Sequence, residues 1–297
     1  MRSRLVALIA GVLAVVTLTA CGTLRLETAD PAAATPDAAE QHRQQLAVQT
    51  QQLADDATHA AATADPEVAD LLLSIAADTR VQLDALGGVW APAGRHLVSV
   101  PRGDAEHVLS ELTTSAAQMR EDAITGDAEL APLLAGISVS RSLRADQLAE
   151  ATGGEPGTLE PALPAALDPA SAADLVRTVD AIGQAREIQA ARSSMEDRER
   201  VADSAAVWRS DAQDLVALAG IADTDEDPRE ISYDLDTSDL PATIAALRGE
   251  LMTGWLAQVP TTEGDDRGAV IDLALTAARD AGMSGPDAAV PAIAGLQ

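Results

Sequence analysis

Of the 297 residues, 63 are alanine, 20 are basic (all arginine) and 47 are acidic, for a formal charge of −27. So negative a chain opposes a phosphate backbone, which excludes nucleic acid as a natural partner. Its single cysteine excludes a disulfide framework and any multi-cysteine metal site. Three Trp, one Tyr, no Phe and few β-branched runs argue against an all-β fold.

The N-terminus reads as a targeting segment. Arg2 and Arg4 precede an uncharged apolar run from Leu5 to Leu18. Its 14 residues fall short of the roughly 20 that a membrane span needs, and suit a signal-peptide core. The run ends in Leu18-Thr19-Ala20-Cys21, which resembles the bacterial lipobox. That resemblance implies that the Cys21 sulfur receives a diacylglycerol and that cleavage makes Cys21 the mature N-terminus. Two or three acyl chains, palmitate among them, hold far more firmly than one. The expected location is the outer face of the cytoplasmic membrane, with the membrane as partner through lipid on Cys21. No later segment reaches 18 uninterrupted apolar residues. Residues 22–38 mix Ala, Pro, Thr and Asp without period, a tether composition.

From about residue 37 the apolar period is helical. Val68, Leu72, Ile75, Thr79, Leu83 and Leu86 fall on one helix face, behind Pro66 and ahead of Gly87-Gly88. Val108, Leu112, Ala116, Met119 and Ala123 repeat the pattern, as do Ile244, Leu247, Leu251, Trp255 and Gln258. Asp239 and Pro241 sit where a cap and first turn belong. An internal comparison matches Val68-Ala69-Asp70 with Val201-Ala202-Asp203, and LDALGG at 83–88 with LVALAG at 215–220. The series continues through Arg95 and Arg229, Gly126-Asp127 and Gly264-Asp265, and Arg141 and Arg279, at offsets between 132 and 138. An ordered series at nearly constant offset points to internal duplication.

The expected fold is all-α: two successive antiparallel four-helix bundles. Helices are expected near 37–63, 66–87, 104–124 and 127–151, then 171–195, 197–221, 241–259 and 265–282. The organisation is a signal peptide (1–20), a lipidated tether (21–36), bundle 1 (37–152), a Pro/Gly linker (153–170) and bundle 2 (171–297). Long connections between the second and third helix of each half permit crossovers.

Cys21-Gly22, Arg25-Leu26-Glu27, Tyr233-Asp234-Leu235, the 241–258 helix and the stretch from Arg267 to Arg279 carry a further likeness. The chain resembles a family of actinobacterial membrane lipoproteins with a ferritin-like domain of unknown function. The resemblance covers the lipobox and, loosely, about 170–297, and implies ferritin-like bundles. Ferritin-like di-iron sites need carboxylates on two helices and Glu-x-x-His on the other two. None of His42, His59, His96 and His107 follows a Glu by three. Asp56-x-x-His59 is the nearest pattern, and the second half has no His. No metal site and no cofactor are therefore expected, and the four histidines read as surface or turn residues.

Asp223-x-Asp225-x-Asp227 starts like a calcium loop, but Pro228 and Asp234 stand where Gly and Glu are needed, so it reads as a solvated acidic loop. Asp55-Asp56 and Asp265-Asp266 suit solvent faces or helix N-termini. Gly153-Gly154 reads as linker. No nucleophile motif stands out, so no catalytic residues are assigned and the protein is not expected to be an enzyme. Trp208 and Trp255 read as core, and Trp90 as the exposed aromatic of a partner surface. The function expected is a binding or scaffolding role in the envelope, with an envelope protein as a possible partner. The alternative is a metal- or small-ligand-binding protein that uses acidic side chains.

Overall fold

The computed structural model describes residues 36–90 and 100–295. The expected signal peptide, Cys21, Arg25-Leu26-Glu27, the expected tether up to 35, and His96 lie outside the described residues. Those residues are all-helical. They hold eight α-helices: α1 (Ala38–Ala61), α2 (Pro66–Ala85), α3 (Ala105–Thr125), α4 (Ala131–Ala151), α5 (Pro169–Arg192), α6 (Met195–Leu218), α7 (Leu240–Leu256) and α8 (Gly264–Asp280). A 3-10 turn, Val259–Thr261, separates the last two.

Local chemistry sets the ends. Asp104 accepts a hydrogen bond from the His107 N–H at 3.1 Å, Asp168 from Ser171 at 3.0 Å, and Asp239 from Ala242 at 3.1 Å. Each cap satisfies an N–H that has no carbonyl four residues back. Gly87 and Gly88 follow α2 at φ +84° and +70°, left-handed values that a β-carbon disfavours. Two ends differ from expectation. The Asp127 carboxylate accepts from the Glu129 N–H at 3.0 Å, and this Asx turn delays the helix start to Ala131. The chain leaves α7 at Leu256, before Gln258. Gln258 stays buried because the Ser171 hydroxyl donates to its Oε1 at 2.7 Å and its Nε2 donates to the Ser171 carbonyl at 2.8 Å.

Residues up to His42 and residues from Arg43 onward form separate compact units. Of the first, the described part is residues 36–42. Within the second, α3 packs along α4, α5 along α6, and α7 along α8, while α8 also lies on both α3 and α4. One apolar cluster runs from Leu46, Leu86 and Met119 through α4 to Leu175, Leu251 and Ile271. A smaller one joins Leu53, Leu72, Ile75, Leu112 and Leu148. The Pro/Gly-rich stretch after α4 is pinned rather than slack. The Gly157 N–H donates to Asp146 at 3.1 Å, the Ala165 N–H to Asp266 at 2.8 Å, and the Leu167 N–H to the Leu218 carbonyl at 3.2 Å.

The central element is α4, in which 15 of 21 residues are buried, five of them polar. Enclosed polar groups must be hydrogen-bonded inside the protein. Ser138 donates to the Ala116 carbonyl and Ser140 to the Pro291 carbonyl, both at 2.8 Å. Gln147 donates to the carbonyls of Gly285 and Ala288 at 2.7 and 3.0 Å. Asp146 takes both arms of Arg279, at 2.7 and 3.1 Å. Arg141, 1% exposed, donates to Gln82 Oε1 and Thr50 Oγ1 at 2.8 Å each. Burial pushes its guanidinium down to about 9.

Residues 283–295, which follow α8, therefore run back along α4. Their last described contact is the Ala294 N–H with the Gly136 carbonyl at 3.2 Å. A β-carbon on Gly136 would stand 2.4 Å from the Ala294 oxygen, so only glycine admits this approach. Gly136→Ala is expected to lift this segment and cost about 1–3 kcal/mol, read as a lower urea midpoint. Gly249→Ala, which meets no atom within 4 Å in the middle of α7, should gain up to about 1 kcal/mol. Equal effects of the two substitutions would refute this packing.

Candidate functional site

The second half holds a groove of about 270 Å³ between α5, α6, α7 and α8. Helical spacing builds it. Trp208, Asp211 and Leu215 share one face of α6. Arg248, Leu251 and Trp255 share one of α7, and Leu273, Thr276, Ala277 and Asp280 one of α8. Val179 of α5 and Leu163 complete the apolar walls. Trp255 is buried and Trp208 half-buried, so the two residues read from sequence as core also form walls. The Arg248 guanidinium sits 5.7 Å from the centroid of the Trp208 ring and donates to the Asp280 carbonyl at 3.0 Å. The cation is drawn to the negative face of the indole. Burial raises the Asp211 carboxyl, and the Asp214 charge one turn away raises it further.

A second constellation ties the α6–α7 crossover to α5. The Tyr233 hydroxyl donates to Asp180 Oδ2 at 2.8 Å and accepts from the Glu230 N–H at 3.1 Å. The Tyr233 N–H donates to Gln184 Oε1 at 2.7 Å. Arg209 of α6 reaches the other oxygen of Asp180 at 2.6 Å and clamps Glu187 with two bonds of 3.1 Å. Gly183 makes room: a β-carbon there would meet Arg209 Cδ at 2.9 Å. The buried Asp180 is thus neutralised by a guanidinium, which makes it a brace for the crossover. Burial chiefly, and hydrogen bonding to Asp180, push the Tyr233 phenol up to about 12.

The residues singled out by sequence scatter. His59 is exposed, and Asp56 lies away from it, buried and paired instead with His107 of α3, whose Nε2 is 3.5 Å from Asp56 Oδ2. Asp56 also accepts from the Gln52 amide and the Arg102 N–H, each at 2.8 Å. His107 is thus half-buried beside the Asp56 carboxylate, unlike the surface or turn residue expected. Asp227 of the acidic loop is held by Arg229 at 2.6 Å, and Asp223 takes a left-handed φ of +58°. Asp266 caps the Ala165 N–H, and Gly153, at φ +80°, ends α4. Trp90 is 55% exposed. Among the described residues, no three His, Cys, Asp or Glu converge where they could hold a metal ion.

A larger groove of about 600 Å³ lies where α3 and α4 meet α8. Its two aspartates are already joined to arginines, Asp272 to Arg120 at 2.6 Å and Asp146 to Arg279 at 2.7 Å. The chain matches no protein-family model, no curated protein and no solved structure.

Tyr233 is the only tyrosine, so phenolate absorbance reports it alone. Its titration in the folded protein is expected to centre near 12, and Asp180→Asn should bring it back toward 10. The folded value lies above the unfolded one. The stability that Tyr233 contributes is therefore full below about 10 and lost as pH rises from there to about 12. A wild-type midpoint at 10 with native ellipticity retained would show that the Tyr233–Asp180 bond is absent.

Proposed function

We propose that this chain is a lipid-anchored binding protein of the cell envelope whose second half takes a small ligand in the groove between Trp208 and Trp255. The observation that carries the reading is the groove itself. An apolar cavity with a few convergent polar groups and a perturbed carboxyl is the expected form of a small-ligand site. The polar groups facing it are three Asp, one Arg and one Thr. That set can fix charge and orientation, but it pairs no nucleophile with a base, which favours binding over catalysis.

The anchor rests on the lipobox: a basic start, an apolar core, and the only cysteine of the chain at the cleavage point. Two four-helix units of ferritin-like layout, related by duplication, complete the proposal. Its support is the order of connections. In each half a short turn joins helices one and two, a long crossover joins two and three, and a shorter turn joins three and four. Arg141 and Arg279, matched in the internal comparison, each lock the fourth helix of their half to a neighbour.

The full-length chain, expressed in bacteria fed a clickable palmitate analogue, is expected to carry the label and sediment with membranes, and Cys21→Ser to do neither. Label retained on the Cys21→Ser chain would remove the anchor from the reading. Thr276→Trp, which fills the groove from α8, should abolish uptake of cyclohexanol, a neutral guest small enough for the groove, as read by calorimetry, while Trp90→Ala leaves it unchanged. Equal uptake by these two variants would sink the groove.

A further inference from the structure

The groove carries its own account of what enters it. Its walls hold two of the three tryptophans of the chain, and its rim three carboxylates against one guanidinium. Among the described residues no hydrogen bond or ion pair engages the side chains of Asp211, Asp214 or Asp280. The aspartates beside the larger groove, by contrast, are matched to arginines, Asp146 to Arg279 and Asp272 to Arg120. Here the one guanidinium lining the groove, Arg248, pairs with none of the three carboxylates. It lies over Trp208, it gives Nη1 to a backbone carbonyl, and its buried Nε has no acceptor.

Resting on the proposal that this groove is a ligand site, we propose that its ligand is a small organic cation, an amine on a compact apolar body. The ammonium belongs between Asp211 and Asp214, which are one turn apart on α6, and Asp280 across the groove. The apolar body belongs against Trp255, Leu251 and Leu273. Aromatic faces attract cations, and carboxylates at the rim of an apolar cleft are the usual complement. The protein demonstrates the first half of this with its own side chain, since Arg248 occupies the Trp208 face. The raised carboxyl of Asp211 fits the same account: burial and a like neighbour destabilise its negative charge, and a bound cation relieves both. A volume near 270 Å³ lies at the small end of ligand sites, which restricts the guest to a compact amine and excludes a lipid or a peptide.

Three isosteres test this against the full-length chain in a neutral maltoside detergent, with tryptophan fluorescence and calorimetry as readouts: cyclohexylammonium, cyclohexanol and cyclohexanecarboxylate. Cyclohexylammonium is expected to bind about tenfold tighter than cyclohexanol, and the carboxylate weakest. Asp211→Asn with Asp214→Asn, isosteric changes at the groove rim that break no hydrogen bond or ion pair, should erase the preference for the ammonium. Arg248→Gln should tighten the ammonium severalfold, because it frees the Trp208 face and removes a like charge. Equal binding of ammonium and alcohol would overturn the cation inference and leave the groove proposal standing. Tighter binding of the carboxylate, lost in Arg248→Gln, would overturn it in favour of an anion. No binding by any of the three would end both proposals.

Discussion

A helix without a solvent face governs this structure. The helix α4 is enclosed on nearly all sides, so its buried polar side chains draw their partners largely from elsewhere in the chain. Those partners come from six directions: Thr50 on α1, Gln82 on α2, Ala116 on α3, Arg279 on α8, the strap through Gly157, and the final segment through Pro291 and Gly285. Leaving one buried donor or acceptor without its partner costs about 1–3 kcal/mol, and more for a charge. The neighbours of α4 are therefore placed by hydrogen bonding as well as by packing. An alanine-rich seam, with little apolar area per residue, specifies position poorly by packing alone.

The arginines share the same economy. There are 20 of them against 47 acids, and several are spent where they join distant parts of the chain. Arg267 donates to the carbonyls of Val259 and Thr262 and, across the structure, of Ala123 at the end of α3. Arg120 forks onto Asp272 with two bonds of 2.6 Å. A planar fork with five donors suits such bridges. Most of the acid excess faces solvent, and at the groove rim it faces a cavity.

Much of this was legible in the residues. All five positions of the stripe Val108, Leu112, Ala116, Met119 and Ala123 are buried, and Asp239 caps α7 as its place before Pro241 implied. Periodicity works there because it reads one helix at a time. It fails where the decisive partner is distant. A stripe marks one buried face, so it could not show that α4 is buried all round, or that a segment without periodicity after α8 fills the remaining side. Trp208 and Trp255 each fit a stripe and read as core. Only the packing of α6, α7 and α8 shows that their flanks line one groove. Local spacing pairs Asp56 with His59, but the histidine beside its carboxylate, His107, comes from another helix. Asp180 and Tyr233 stand 53 residues apart, beyond any local pattern.

The course of residues 283–295 along α4 also bears on when the protein can become itself. A chain is made from its N-terminus, and segments fold as they appear when their partners are already present. Here the polar sockets of α4 at Gly136, Ser140 and Gln147 are filled by residues that are synthesised only after α8. Until Pro291 and Ala294 arrive, the earliest helices surround a centre with unanswered donors. Completion thus waits for the residues beyond α8, and a chain stopped at the end of α8 would carry its defect at the centre of its first half.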